Sequence, residues 1–136
     1  MTAKLQVKPR PANAELLSRI VAEGMLEKKG IDIVILDLRK VKNAVTDFFV
    51  ICSGNSDTQV EALMDSVEEQ VYKHLGEWPW QKEGKANREW ILLDYVNVVA
   101  HIFKKERRLF YGLEELWGDA EITRIESSMF STSVSS

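Results

Sequence analysis

Eight residues, RKVKNAVT (Arg39 to Thr46), separate two short runs rich in β-branched and aromatic side chains: Ile31 to Leu38 (IDIVILDL) and Asp47 to Ser53 (DFFVICS). Neighbouring parallel strands need a crossover of about a dozen residues or more, which this link cannot build. The two runs therefore predict an antiparallel pair, and with it a sheet. A second pair follows the same logic. Arg88 to Asp94 (REWILLD) and Asn97 to Phe103 (NVVAHIF), joined by Tyr95-Val96, read as a hairpin.

Helical spacing fills the intervals. From Asn13, a capping residue, Leu16, Leu17, Ile20, Val21 and Met25 recur with the helical period, and Lys28, Lys29 and Gly30 supply a stop. From Gln59, the side chains of Val60, Leu63, Met64, Val67 and Val71 share one helical face that ends near His74 and Gly76. A last helix from about Lys105 puts Leu109, Phe110, Leu113, Leu116 and Trp117 on one stripe and stops at Gly118. Trp78-Pro79-Trp80 reads as an edge strand or a loop, because proline removes a ladder hydrogen bond. The order α-β-β-α-β-β-β-α predicts an α+β fold, a mixed β-sheet with helices packed on it. One domain spans residues 12 to 120, and residues 1–11 and 121–136 are expected to be flexible tails.

Charge and composition exclude several classes of function. A formal charge of -3 does not draw a protein to nucleic acid or anionic lipid, so any such contact must come from local arrangement. The longest apolar stretch, Ile91 to Phe103, is broken by Asp94, Asn97 and His101 and is too short to cross a bilayer. The N-terminus lacks the apolar core of a secretory signal, and the single cysteine, Cys52, excludes an internal disulfide framework. The expectation is a cytoplasmic protein with no membrane partner.

SGNSDTQ (Ser53 to Gln59) comes off a strand and opens a helix, which is where a phosphate could sit on backbone N–H groups. Nucleotidyl transfer would also need carboxylates converging on Mg²⁺. The D-x-E triplet Asp119-Ala120-Glu121 lies beyond the last helix and off any predicted strand. Asp57, Glu61, Asp65, Glu68 and Glu69 recur on the polar side of their helix, as a solvated face does. A capping box is the stronger reading, with Ser56 accepting from the N–H of Gln59 while Gln59 reaches back to Ser56. No catalytic residue, metal ligand or cofactor is assigned.

Among other groups, His101 is expected to be a hydrogen-bonded structural histidine and Cys52 a small buried apolar group. Lys104, Lys105, Arg107 and Arg108 gather at the start of the last helix, where cations oppose the helix dipole. They are candidates for contact with RNA or an acidic partner. Trp90 shares a strand face with Leu92 and Asp94, whereas Ile91, Leu93 and Tyr95 share the other. Both faces are apolar, and an uncovered one would make a rigid aromatic anchor of the kind found at protein interfaces.

Taken with Glu83-Gly84, the runs WILLDYVNVVAHIF (Trp90 to Phe103) and ERRLFYGLEELWGDA (Glu106 to Ala120) resemble the ribosomal silencing factor family, also called Iojap. DIVILDL and TDFFVICSGNSDTQV are similar to its first two strands and the start of its second helix. The resemblance implies a nucleotidyltransferase-like fold without catalytic carboxylates. It also implies binding to the large ribosomal subunit through ribosomal protein L14, which blocks small-subunit joining and represses translation without catalysis. Trp90, Leu92, Leu93, Asp94 and Tyr95 occupy the positions of the family's contact surface, contact with ribosomal RNA is a further implied partnership, and a homodimer is among the free forms it allows. Where the family turn reads D-Y-G-D, this chain has Asp94-Tyr95-Val96-Asn97, and Asn97 is expected to take the left-handed position. The competing expectation is a Mg-dependent nucleotidyltransferase acting on RNA or a small nucleotide.

Overall fold

Ten elements follow one another in the computed structural model, which describes residues 13–126. They are α1 (Ala14–Glu27), β1 (Ile31–Asp37), β2 (Phe48–Gly54), α2 (Asp57–Leu75), β3 (Gln81–Glu83), β4 (Trp90–Asp94), β5 (Val98–Lys104), α3 (Lys105–Tyr111), α4 (Leu113–Leu116) and β6 (Glu121–Arg124). The strands form one mixed sheet in the order β3-β4-β5-β2-β1-β6. β1 and β2 are antiparallel, as their short link requires, and β4 and β5 form the expected antiparallel hairpin. β2 and β5 run parallel at the centre, with α2, β3 and β4 lying between them in sequence. The chain is therefore α+β, as its periodicities predict.

Local chemistry sets the helix ends. The Asn13 side chain accepts from the N–H of Leu16 at 2.9 Å, and that of Ser56 from the N–H of Gln59 at 3.1 Å. At the far end of α1, Lys29 takes the left-handed conformation (φ 61°) and the N–H of Gly30 returns to the carbonyl of Met25 at 2.8 Å. Gly76, at φ 67°, ends α2.

α1 and α2 lie side by side on one face of the sheet. They bury Leu17, Val21, Met25, Leu63 and Val67 against Ile33, Val50, Cys52, Ile91, Leu93 and Ala100. Each such side chain contributes roughly 1.5–3 kcal/mol, more than the propensity differences along either helix, so packing holds these helices in place. Gly24 lets them meet closely: a Cβ there would lie 2.9 Å from the Cα of Val67. The Ser66 hydroxyl donates to the Gly24 carbonyl at 2.7 Å across the same contact.

On the opposite face Val34, Leu36, Phe49, Ile51 and Phe103 are covered by Leu113, Trp117 and Ala120, together with Val41 and Ala44 of the β1–β2 link. This cover is thin, and it does not bury Trp90 and Leu92 at the β4 side, which stay half-buried.

Three expectations change. The last helix is two pieces, because Gly112 (φ 61°) terminates α3 and redirects the following turn. Of the anticipated stripe, Leu113 is buried and Trp117 half-buried, whereas Leu109 and Leu116 are 91% and 71% exposed; the side chain of Phe110 lies outside the described residues. The segment from residue 121, expected to be a tail, opens with β6, whose four residues pair antiparallel with β1. β1 is apolar on both faces and would otherwise be a bare edge, which is the physical reason for this strand. The anticipated tails at 1–11 and 127–136 lie outside the described residues. Trp78-Pro79-Trp80 is loop, and the edge strand begins at Gln81, once the N–H of Trp80 has bonded the Asp94 carbonyl at 2.6 Å. Among the described residues no helix is long and apolar enough to cross a membrane.

Candidate functional site

Alternation along β4 sends successive side chains to opposite faces. Ile91, Leu93 and Tyr95 go under the helices and join the main core. Trp90, Leu92 and Asp94 go to the thinly covered face, each half-buried. Of the five expected contact residues the structure thus brings three to one surface. Leu93 and Tyr95 are corrected to core positions, because α1 and α2 occupy their side of the sheet.

A row of rings crosses this face. The Trp90 indole N–H donates to Nδ1 of His101 at 3.0 Å. The His101 ring meets Phe49 edge-on at 4.5 Å between centroids, and Phe49 meets Trp117 edge-on at 6.0 Å. Trp90 also stacks on Phe103 at 5.1 Å. Four elements, β4, β5, β2 and the end of α4, therefore share one aromatic layer, in which Phe49, His101 and Phe103 are buried and Trp90 and Trp117 stay half-buried at its two ends. Phe49 was not anticipated as part of it. The signal was present in the doublet Phe48-Phe49, which must place one ring on each face.

His101 is the expected structural histidine. Burial without a compensating charge pushes its pKa down to about 3, so the ring is neutral. Because Nδ1 accepts from Trp90, the proton resides on Nε2, which is buried and has no hydrogen-bond partner among the described residues. Its role is to fix the orientation of Trp90.

The turn after β4 departs from expectation. Val96, not Asn97, occupies the left-handed region, at φ 80°. The Asn97 N–H reaches back to the Tyr95 carbonyl at 3.0 Å, closing a three-residue γ-turn centred on Val96. Asp94 Oδ1 accepts from the Val96 N–H at 2.7 Å, and the Thr46 hydroxyl donates to the Val96 carbonyl at 3.0 Å. These bonds over-determine the turn and hold valine where glycine would be at ease. They also engage the Asp94 carboxylate.

The basic cluster is largely neutralised. Lys104 pairs with Asp57 and Arg107 with Glu89. The hydrogen bond from Lys104 lowers the pKa of Asp57, and the same bond raises that of Lys104. Arg108 is buried: its guanidinium forks onto Glu114 with two 3.0 Å bonds and donates to the Ile31 carbonyl and the Ser53 hydroxyl at 3.1 Å each. Arg108 is therefore corrected from a surface contact to a structural clamp. Of the four cations, Lys105 alone is exposed without an ion pair or hydrogen bond among the described residues. Acids brought in by α2, by the residue before β4 and by α4 explain why cations tolerate the helix start.

In the SGNSDTQ loop Ser56 caps α2 as expected, but Gln59 does something else. Its Oε1 accepts from the N–H of Asn55 at 2.6 Å instead of that of Ser56, and its Nε2 donates to the carbonyls of Lys28 and Lys29 at 3.1 Å each. The loop thereby ties the start of α2 to the end of α1. Asp119 and Glu121 line a small cleft with Asp37 and Arg39, and Glu121 opens β6. Among the described residues no group of three or more His, Cys, Asp or Glu is placed to hold a metal ion. The Cys52 thiol is fully buried, which pushes its pKa up to about 12 and removes it as a nucleophile.

With this geometry in hand, similarity to known proteins is informative. Residues 11–135 match the model of a family described as ribosomal silencing factor during starvation. The ribosomal silencing factor RsfS of Bacillus subtilis is 36% identical over 117 residues, spanning 86% of this chain and 98% of the relative. RsfS of Halalkalibacterium halodurans is 36% identical over 115 residues, spanning 85% and 96%. The crystal structure of a Chromobacterium violaceum protein superposes with a TM-score of 0.73 at 31% identity, covering 78% of this chain and 87% of that one.

Proposed function

This chain belongs to the ribosomal silencing factor family, and from that membership we propose that it silences ribosomes by gripping the large subunit through ribosomal protein L14. Its bulk then stands where the small subunit must dock, so joining is blocked and translation falls. The observation that supports this reading is the half-open sheet face, where Trp90 is locked by His101 and flanked by Leu92. A half-buried aromatic anchor in a preset orientation loses little entropy on binding, which is how a few residues come to dominate an interface.

Occlusion needs no turnover. Four of the groups that the sequence offered for chemistry have structural roles: Ser56 and Gln59 in the α2 start, His101 in positioning Trp90, Cys52 in the core. A specific contact of roughly 800 Å² per partner suffices to hold the factor. The protein acts where ribosomes are, in the cytoplasm, and of the cluster at the start of α3 Lys105 is the cation left unpaired among the described residues for contact with ribosomal RNA.

Purified protein is expected to co-sediment with free large subunits and to lower the yield of joined ribosomes. Trp90→Ala and Leu92→Glu should each weaken that association at least about tenfold, an effect of about 1.4 kcal/mol, without loss of the fold. Unchanged joining at saturating wild-type protein would sink the proposal.

A further inference from the structure

Trp78 and Trp80 take no part in the surface just described. They lie at the end of α2, on the helix-bearing side of the sheet, 59% and 42% exposed. Trp78 stacks on Tyr72 of α2, itself half in solvent, with centroids 4.5 Å apart and planes 20° from parallel. None of the three rings belongs to either core cluster. Aromatic rings left about half in water forgo much of what burial would contribute, so folding does not account for the stack.

Two hollows share Trp78. One runs along α2 past Asp65, Glu69 and Lys73. The other, about 300 Å³, lies between Trp78 and Trp80 over Glu77, Tyr95 and Val96. Among the described residues carboxylates outnumber ammonium groups around them: Asp65, Glu68, Glu69 and Glu77 against Lys73 and Lys82, the latter paired with Glu68 at 3.0 Å. The negative field reaches the interior. The Tyr95 phenol is made less acidic by burial first, and then by the charges of Glu68 and Glu77. Its hydroxyl is buried and has no hydrogen-bond partner among the described residues.

We propose that this groove binds an extended basic polypeptide segment, with an arginine guanidinium lying over the Trp78 ring and paired to a carboxylate of α2. Arginine fits better than lysine because its planar group stacks on an aromatic face while its edge donates to a carboxylate. Two adjoining hollows take neighbouring side chains of one chain, which a free cation would not need. The groove lies on the side of the sheet away from Trp90, so it is a second docking surface and its failure would leave the proposed function untouched.

The chain carries its own reporters, since Trp78 and Trp80 line the groove while Trp90 and Trp117 lie on the other face. The intact protein would be titrated with a capped Gly-Arg-Gly-Arg-Gly peptide while the four indole N–H resonances are followed by NMR. The Trp78 and Trp80 signals are expected to move and the other two to stay. Replacing arginine by the isosteric neutral citrulline, or making Trp78→Ala or Tyr72→Ala, should weaken binding about tenfold with the urea midpoint unchanged. No shift at millimolar peptide, equal shifts at all four indoles, or undiminished binding by Trp78→Ala or the citrulline peptide would each overturn the proposal.

Discussion

Val96 holds a conformation that its side chain opposes. At φ 80° its β-carbon crowds the backbone, and a non-glycine residue so placed stores roughly 1–3 kcal/mol. Asp94, Thr46 and the Tyr95–Asn97 bond keep it there. Val96→Gly removes that strain but gives the unfolded chain more freedom, worth about 0.4–1 kcal/mol in the other direction. The net expectation is a gain of about 1 kcal/mol, seen as a higher urea midpoint at constant slope; a lower midpoint would mean that valine's own packing outweighs the strain. His101 carries a different liability. Its pKa is about 3 in the fold against 6.5 unfolded, so between those values the unfolded chain binds the extra proton. Stability is fully present above about pH 6.5 and falls as pH drops toward 3, by up to about 1.4 kcal/mol per unit. Between pH 6.5 and 4.5 the urea midpoint of wild type should fall further than that of His101→Asn, and parallel declines would remove His101 as the cause.

At the scale of elements, α3 and α4 are held by a charge inside the protein. Arg108 joins Glu114, the Ile31 carbonyl and the Ser53 hydroxyl, linking two short helices to β1 and β2. Arg108→Met should cost on the order of 3 kcal/mol, because it leaves Glu114 without its partner and two acceptors unmet. Lys105→Ala, one turn earlier and solvated, should stay within about 0.5 kcal/mol. Thermal unfolding of the two variants distinguishes a structural clamp from a surface cluster, and equal melting temperatures would refute the clamp. The same region marks where reading the sequence succeeds and fails. The β1–β2 and β4–β5 pairs were legible because a short link and a period of two leave little choice of topology. The last helix was not, because Leu109, Leu113 and Leu116 keep helical spacing straight through Gly112, and spacing carries no record of a left-handed residue between them. In the candidate site, Trp90 and Leu92 could be paired on one face from alternation. Which face the helices would cover was not in the strand itself, and Leu93 and Tyr95 joined the contact set through the family resemblance although alternation puts them on the other face.

The whole sheet has two edges, and the protein treats them differently. β3 is three residues long, polar and exposed, a poor template for pairing with another chain. β1 at the other side is seven residues long, with Ile33 and Ile35 buried on one face and Val34 and Leu36 on the other. Among the described residues it is protected by β6, which pairs Glu121–Arg124 with Asp37–Val34, and by the N–H of Ile125 donating to the Ile33 carbonyl at 2.8 Å. Nothing in EITR alternates strongly enough to announce a strand; its partner's need for cover is what orders it. A chain ending at Ala120 should therefore self-associate at micromolar concentration through the bared β1, whereas one ending at Glu126 should sediment as the full-length protein does. Because Trp90, Leu92 and His101 sit on β4 and β5, away from this edge, the folded fraction of the shorter chain should still bind large subunits. Sedimentation velocity combined with subunit co-sedimentation reads both quantities. If the chain ending at Ala120 stays as well behaved as the longer one, β6 is an ornament and the edge needs no guard; if it folds but no longer binds, the docking surface extends across the sheet to a strand that the present reading leaves outside it.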